Sequence, residues 1–491
     1  MLRPSLYVLA AAGVLSSFPA AAADVDMKAL REEIAQMKAA YEQRIAALEN
    51  RLLTAEKSVR KTAENSQNPV STAEDSRRPQ PGLAAGFNPQ ISVILDGVYY
   101  RDGRKGKGPG LLESIDGINH AHAHEGHDHG ELESGFNLRE TELVFSAAVS
   151  PYFDANLKMT VAAGGGVELE EAYFDTRALP AGLKLRGGKF QSGIGYLNAQ
   201  HPHQWDFVDQ NLAYRSLLGE HGLNDTGLRL EWVPKTGNWY SLLGLEMLQG
   251  KEQLFATAGE ATPTGRADGA ALADTSGGIL AGTKRGPRLT TLYAKFAPDL
   301  GDKHALQFGV WGAWSKQHQE VHDHTGENPA SFVHGLQGQG RLWGTDWVYK
   351  YDAAKHGGWG NVKLAAEYLR ETKDLKIAFH ELGDRVGQKR EFIQDGFYLQ
   401  GNYGFLPFWQ AGLRYDVTGM TNEINGPAGR LSQMDPSRRW TFALSRDLTE
   451  FSRFRLQFSR AKLMVEGARE NLNEVYLQYQ HSLGSHGAHL F

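Results

Sequence analysis

The chain has 491 residues, no cysteine, 56 glycines and a formal net charge of −5 at neutral pH. The lack of cysteine excludes a disulfide framework and thiol chemistry, and the mild acidity argues against non-specific nucleic-acid binding.

Residues 1–23, MLRPSLYVLAAAGVLSSFPAAAA, combine one basic residue (Arg3), an apolar run from Leu6 to Leu15 and small residues ending in Ala21-Ala22-Ala23. They read as a secretory signal peptide, because the apolar run is too short to span a bilayer. Cleavage after Ala23 leaves 51 basic against 57 acidic residues, a mature charge of −6. Residues 24–63 read as a periplasmic coiled coil. Leu30, Ile34, Met37, Tyr41, Ile45, Leu48, Leu52, Ala55 and Val59 recur at spacings that mostly alternate three and four, with Glu, Lys and Arg on the other faces. The adjoining sequence offers that helix no core to pack on, so the pattern points to self-association. Residues 64–86 turn to Asn, Ser, Pro and charge, the composition of a linker.

From 87 to 491 the period changes to two. Trp440, Phe442 and Leu444 alternate with Arg439, Thr441, Ala443 and Ser445, and Phe454, Leu456 and Phe458 alternate with Arg453, Arg455, Gln457 and Ser459. Strands are expected near 90–100, 136–149, 153–163, 166–177, 182–190, 225–233, 239–249, 288–298, 303–318, 338–352, 359–372, 392–404, 408–417, 437–447, 452–464 and 472–483. Every second connection is short, such as Pro151-Tyr152 or Phe405-Leu406-Pro407, and most others are long: 101–135, 191–224, 250–287, 319–337, 373–391 and 418–436. This sorting, over an even strand number, is the signature of an all-β transmembrane antiparallel barrel, here of about 16 strands, with periplasmic turns and extracellular loops. A soluble sandwich has no reason to sort its loops, and closure removes edges that lipid would not tolerate. Phe491 is the usual last residue of such a barrel. His489 and Gly487 break the expected alternation before it, so the last strand is expected to end near Leu483.

With both termini periplasmic, most histidines fall on the outer face. The tract HAHAHEGHDHG offers His120, His122, His124, His127 and His129 as neutral imidazole donors for zinc or a similar divalent ion, with Glu125 and Asp128 as added oxygen ligands. A solvated loop that binds metal only incidentally is the other reading of the tract. Loop 319–337 adds His322, His324 and His334. Lys184, Arg186, Arg229, Lys363, Arg453 and Arg455 are expected on the lumen face, as are Glu140, Glu142, Glu231 and Glu367, so charge alone does not predict anion or cation selectivity. There is no Gly-x-Ser-x-Gly, no His-Glu-x-x-His and no Gly-rich phosphate loop, so no enzyme is expected. No required cofactor is expected either.

The stretch GGKFQSGIGYLNAQHPHQWDFVDQNLAYRSLLGEHGLNDTGLRLEW carries a resemblance to the phosphate-selective porin O/P superfamily, which extends over signal, coiled coil, linker and barrel. Gly188, Lys189 and Phe190 match a strand end, and Gly227 with Leu228 and Leu230 match the re-entry. The resemblance implies that 191–224 folds into the lumen as a constriction, with His201, His203, Asp206, Asp209, Arg215 and His221 as candidate lining residues. His201, Pro202, His203, Trp205 and Asp206 stand where it implies a basic set. The histidine content also resembles chains described as zinc-regulated TonB-dependent receptors, but 24–86 is too short and too helical for the plug domain of that class. The expectation is a homotrimeric outer-membrane channel for passive solute and ion uptake, inserted in lipid by the barrel assembly machinery, with zinc as ligand or cargo. Two alternatives stay open: an anion- or phosphate-selective or general porin with incidental histidines, and a surface metal-binding or adhesin barrel without transport.

Overall fold

The computed structural model describes residues 89–119, 132–237, 239–257, 280–324, 332–383 and 385–484. The expected signal peptide, coiled coil, linker and the tract His120, His122, His124, His127 and His129 lie outside the described residues.

Sixteen strands form a closed antiparallel barrel. In chain order they are β1 (Gln90–Asp102), β2 (Gly135–Ser150), β3 (Phe153–Ala162), β4 (Val167–Thr176), β5 (Leu183–Gln191), β6 (Asn224–Trp232), β7 (Trp239–Leu248), β8 (Leu289–Pro298), β9 (His304–Ser315), β10 (Val333–Tyr351), β11 (Val362–His380), β12 (Lys389–Leu406), β13 (Trp409–Gly426), β14 (Ser437–Thr449), β15 (Ser452–Val465) and β16 (Ala468–Gly484). Each pairs with its chain neighbours, and β16 closes on β1 from Ser92↔Gly484 to Asp102↔Glu474. Every strand expected from the period is present, and β16 ends one residue past Leu483.

The long connections differ from expectation in extent. Much of 319–337, 373–391 and 418–436 is paired strand rather than loop: His318–Asp323 continues β9 against β10, β11 runs to His380, and Gly429–Gln433 folds back on β13. Polar alternating residues there still satisfy backbone hydrogen bonds as hairpins that rise beyond the apolar belt.

Outward positions carry that belt. Leu228, Leu245, Leu399, Leu413, Leu456 and Leu477 are exposed, while the alternate residues Arg439, Arg455, Gln457 and Ser459 are buried inside. Tyr152, Trp232, Trp239, Phe408 and Phe451 ring the short-turn end, and Phe136, Trp314, Trp343 and Trp440 the long-loop end. Such aromatic bands flank the hydrocarbon-facing zone of transmembrane barrels. Beyond Trp343 an exposed Arg341–Asp374 ion pair faces outward and marks where the belt stops.

Candidate functional site

The 32 residues between β5 and β6 turn into the barrel and meet its wall on opposite sides. Ser192 Oγ and Gly193 N both donate to Glu246 of β7. Further on, Glu367 of β11 accepts four hydrogen bonds, from Tyr196 N (3.0 Å), Leu197 N (2.9 Å), Tyr214 Oη (2.8 Å) and Tyr398 Oη (2.6 Å). Gly195, at φ +62°, makes the turn possible, since a Cβ there would lie 2.5 Å from Tyr214 Oη. The short helix α1 (Leu212–Leu218) follows, capped by Asn211, whose side chain accepts from Tyr214 N at 2.9 Å. Leu212 N in turn donates to Asp416 of β13 at 3.0 Å.

The segment has two unlike flanks. Ile194, Leu197, Leu217 and Leu218 pack with inward residues Leu248, Leu289, Trp311, Leu342 and Leu369 in one buried apolar cluster. The other flank is charged. His201 Nδ1 lies 3.2 Å from Glu170, and Lys158 Nζ lies 2.7 Å from His201 Nε2. His203 Nδ1 meets Glu142 at 2.9 Å. Asp206 pairs with Lys363 at 2.7 Å and accepts from Gln400 at 2.8 Å. Asp209 pairs with Arg414 at 2.9 Å and with Arg439, and Arg455 donates to the carbonyl of Trp205 at 2.9 Å. Lys158 stands on β3 and Glu367 on β11, eight strands apart in a ring of sixteen, so the segment crosses the full width of the lumen.

Four of the six candidate residues, His201, His203, Asp206 and Asp209, therefore lie on this charged flank. Arg215 and His221 lie further along the same segment. Arg215 pairs with Glu220 (3.1 Å) and Glu113 (3.4 Å), and the His221 carbonyl accepts from Gln191 Nε2 at 3.1 Å. Both border a cavity of about 190 Å³ that Leu112, Arg139, His201 and Asp209 also line. Of the expected lumen charges, Arg229 pairs with Glu246 at 2.7 Å and Arg186 with Asp175 at 2.7 Å.

Burial disfavours the charge on Asp209, but the Arg439 and Arg414 guanidiniums outweigh it and hold the carboxyl at about 2. A depressed acid contributes stability above its ordinary value of 3.8 that is lost as pH falls through about 2. This anchor should hold unchanged from pH 4 to pH 7. Limited digestion of the folded barrel, with trypsin at pH 7 and pepsin at pH 4, checks it: the Leu212–Leu218 helix should stay protected from both, and pepsin cleavage within it at pH 4 would contradict the assignment.

A second group of titratable side chains lies past the apolar belt. His318, Glu320 and His322 alternate along the strand that extends β9, and His324 follows just past its end, its N–H donating to the Phe332 carbonyl at 3.0 Å, which keeps the alternation on one face. His334 lies directly opposite His322, and His380 opposite His334. The His334 ring stands among those of His322, His324 and His380, at 5.0, 5.1 and 6.1 Å between centroids.

No family model matches the chain. An uncharacterized protein of Aquifex aeolicus is 32% identical over 412 residues, which cover 82% of this chain and 80% of that protein. Among solved structures, the outer-membrane channel DcaP of Acinetobacter baumannii is 11% identical, with TM-score 0.45 over 81% of this chain and 98% of that one. An anion-selective porin of Comamonas acidovorans is 10% identical, with TM-score 0.43 over 81% and 100%. OprB of Pseudomonas putida is 12% identical, with TM-score 0.43 over 82% and 95%.

Proposed function

The chain belongs to one family with the uncharacterized Aquifex aeolicus protein, and from its own geometry we propose that it is a passive channel of the bacterial outer membrane, with a lumen narrowed by 191–224. One observation carries this reading: a closed barrel, apolar outside and polar inside, is crossed by a segment fixed to facing walls. The outer belt suits lipid, and insertion by the barrel assembly machinery as a homotrimer, held together through barrel and coiled coil, goes with it. Apolar packing fills the β7–β11 side of the crossing and direct ion pairs close much of the charged flank, so water and ions pass by way of the cavity of about 190 Å³ that Arg139, His201, Asp209, Arg215 and Glu220 border. Both signs of charge line that path, which favours small hydrated ions of either sign over a single anion class.

The histidine tract gives the channel a use in acquiring zinc or a similar divalent metal. Imidazoles gathered at the outer mouth raise the local ion concentration there when metal is scarce. Support comes from where the tract starts. Ile118 and Asn119, just before His120, are tied to the wall: the Ile118 carbonyl accepts from Lys373 Nζ at 3.2 Å, and Asn119 donates to Glu371 at 2.8 Å. Cells producing the variant with His120, His122, His124, His127 and His129 all changed to Ala are expected to grow more slowly than wild type in chelator-treated medium, with recovery on added zinc. Equal growth would remove the tract from uptake and leave a general channel with incidental histidines.

A further inference from the structure

We propose that His322, His324 and His334 form a built binding site for a divalent transition-metal ion of the zinc class on the outer rim of the barrel, separate from the 120–129 tract. The proposal deepens the reading above and rests on it only for the biological use of the ion.

The backbone sets the arrangement. His322 and His334 are directly paired across an antiparallel ladder, and His324 follows two residues on, so all three side chains leave the same face. Their ring centroids lie 5.0 Å (His322–His334), 5.1 Å (His324–His334) and 6.2 Å (His322–His324) apart. One nitrogen from each falls within 4.8 Å of the other two. Zinc bound by imidazole at about 2.05 Å in tetrahedral geometry needs donor nitrogens about 3.4 Å apart. Small side-chain rotations close that gap without moving the ladder. Three donors leave a fourth position open for water or for a passing ligand, the pattern of an exchangeable rather than a sealed site.

The surroundings fit a dication. Glu320 Oε1 stands 3.1 Å from His322 Nε2, and the other Glu320 oxygen meets His318 Nε2 at 3.0 Å and Lys373 Nζ at 2.8 Å. A carboxylate behind a ligating histidine fixes its ring and raises its basicity. Phe332 backs the group, 4.9 Å from the His324 ring and 4.7 Å from that of His380, so the donors turn toward one another rather than into a wide polar space. Ordering is also in place beforehand. These imidazoles already stand on or beside paired strands, so closing on an ion costs them little conformational entropy. The rim site also lies close to the tract's anchor, through the chain of contacts Ile118 carbonyl, Lys373, Glu320, His322.

The test uses the full chain refolded in detergent, with His120, His122, His124, His127 and His129 changed to Ala to silence the tract. Zn²⁺ is titrated calorimetrically and Co²⁺ by absorption. One equivalent of each metal should remain bound, with a cobalt spectrum of nitrogen-ligated, tetrahedral character. Adding His334→Ala should weaken binding by more than ~100-fold, and Glu320→Gln by about 10–100-fold. His324→Asn serves as a second ligand variant, and a heat-modifiable gel shift confirms that each barrel is folded. If the tract-silenced protein binds no more metal than the same protein also lacking His322, His324 and His334, the site does not exist and the rim imidazoles merely pack on Phe332. Metal bound at the rim of a barrel that passes no current would keep the site and overturn the channel reading. Current without rim binding would do the reverse.

Discussion

Changing Glu367 to Ala should open the barrel. That one carboxylate holds two backbone N–H groups of the crossing segment and the hydroxyls of Tyr214 and Tyr398, all buried. Removing it leaves four donors without a partner, and each buried orphan costs about 1–3 kcal/mol. Release of the segment relieves that cost, because Tyr196 and Leu197 then find water. The loss, about 4 kcal/mol or more, is large against the stability of a single loop. Single-channel conductance should rise severalfold, with flicker where wild type is steady. Glu367→Gln keeps an acceptor oxygen for part of the set and should fall between the two. Conductance equal to wild type in Glu367→Ala would show that this end of the crossing does not narrow the path.

The middle of the segment rests on Arg439 of β14, and its removal should be the most destabilising single change in the lumen. Arg439 Nη2 lies 2.8 Å from Asp416 and also donates to the carbonyl of Gln210, while Nη1 pairs with Asp209. Asp416 is fully buried, and the Asp209 side chain is 14% exposed. Arg439→Ala leaves Arg414 alone to serve two carboxylates, and breaking a buried pair by removing one partner costs about 3–5 kcal/mol. Trypsin should then cut after Arg215, a bond expected to stay protected in wild type, and the thermal midpoint should drop. Replacing both partners, Arg439→Met with Asp416→Leu, removes the stranded charge and should recover much of the midpoint. If Arg439→Ala melts and digests as wild type does, the knot is incidental to the segment's position.

The barrel was legible because outward positions obey one rule throughout: they meet the same apolar medium, so the period of two survives from β1 to β16. The short turns, fixed by Pro, Gly and Asn, were equally plain. The inside was harder to read. Leu248, Trp311, Leu342, Leu369 and Tyr398 face inward yet are apolar or aromatic, because they pack against 191–224 rather than against water. A local pattern cannot tell an apolar residue facing lipid from one facing a folded-in segment, since both are simply removed from water.

The candidate site divides in the same way. His201, His203, Asp206 and Asp209 could be named from a histidine- and acid-bearing connection after a Gly-Lys-Phe strand end. Their partners Glu142, Arg414 and Arg439 could not, because the pairings join this segment to strands far from it in the chain. The rim histidines show a different gap. HQEVHDH, residues 318–324, alternates as a strand does, but it follows an apolar strand in a stretch of polar composition and reads as loop. Continuing the period past Gln317 would have put His318, Glu320, His322 and His324 on one face, and only the register of β10 brings His334 opposite.

Single-channel recording of the refolded full chain in a planar bilayer tests the central claim most directly, with wild type and Glu367→Ala side by side. A small, ohmic, steady conductance in wild type and a larger one in the variant is the expected result, since the crossing segment narrows a real aqueous path. No current through either protein would contradict it and leave a closed barrel that binds at its surface.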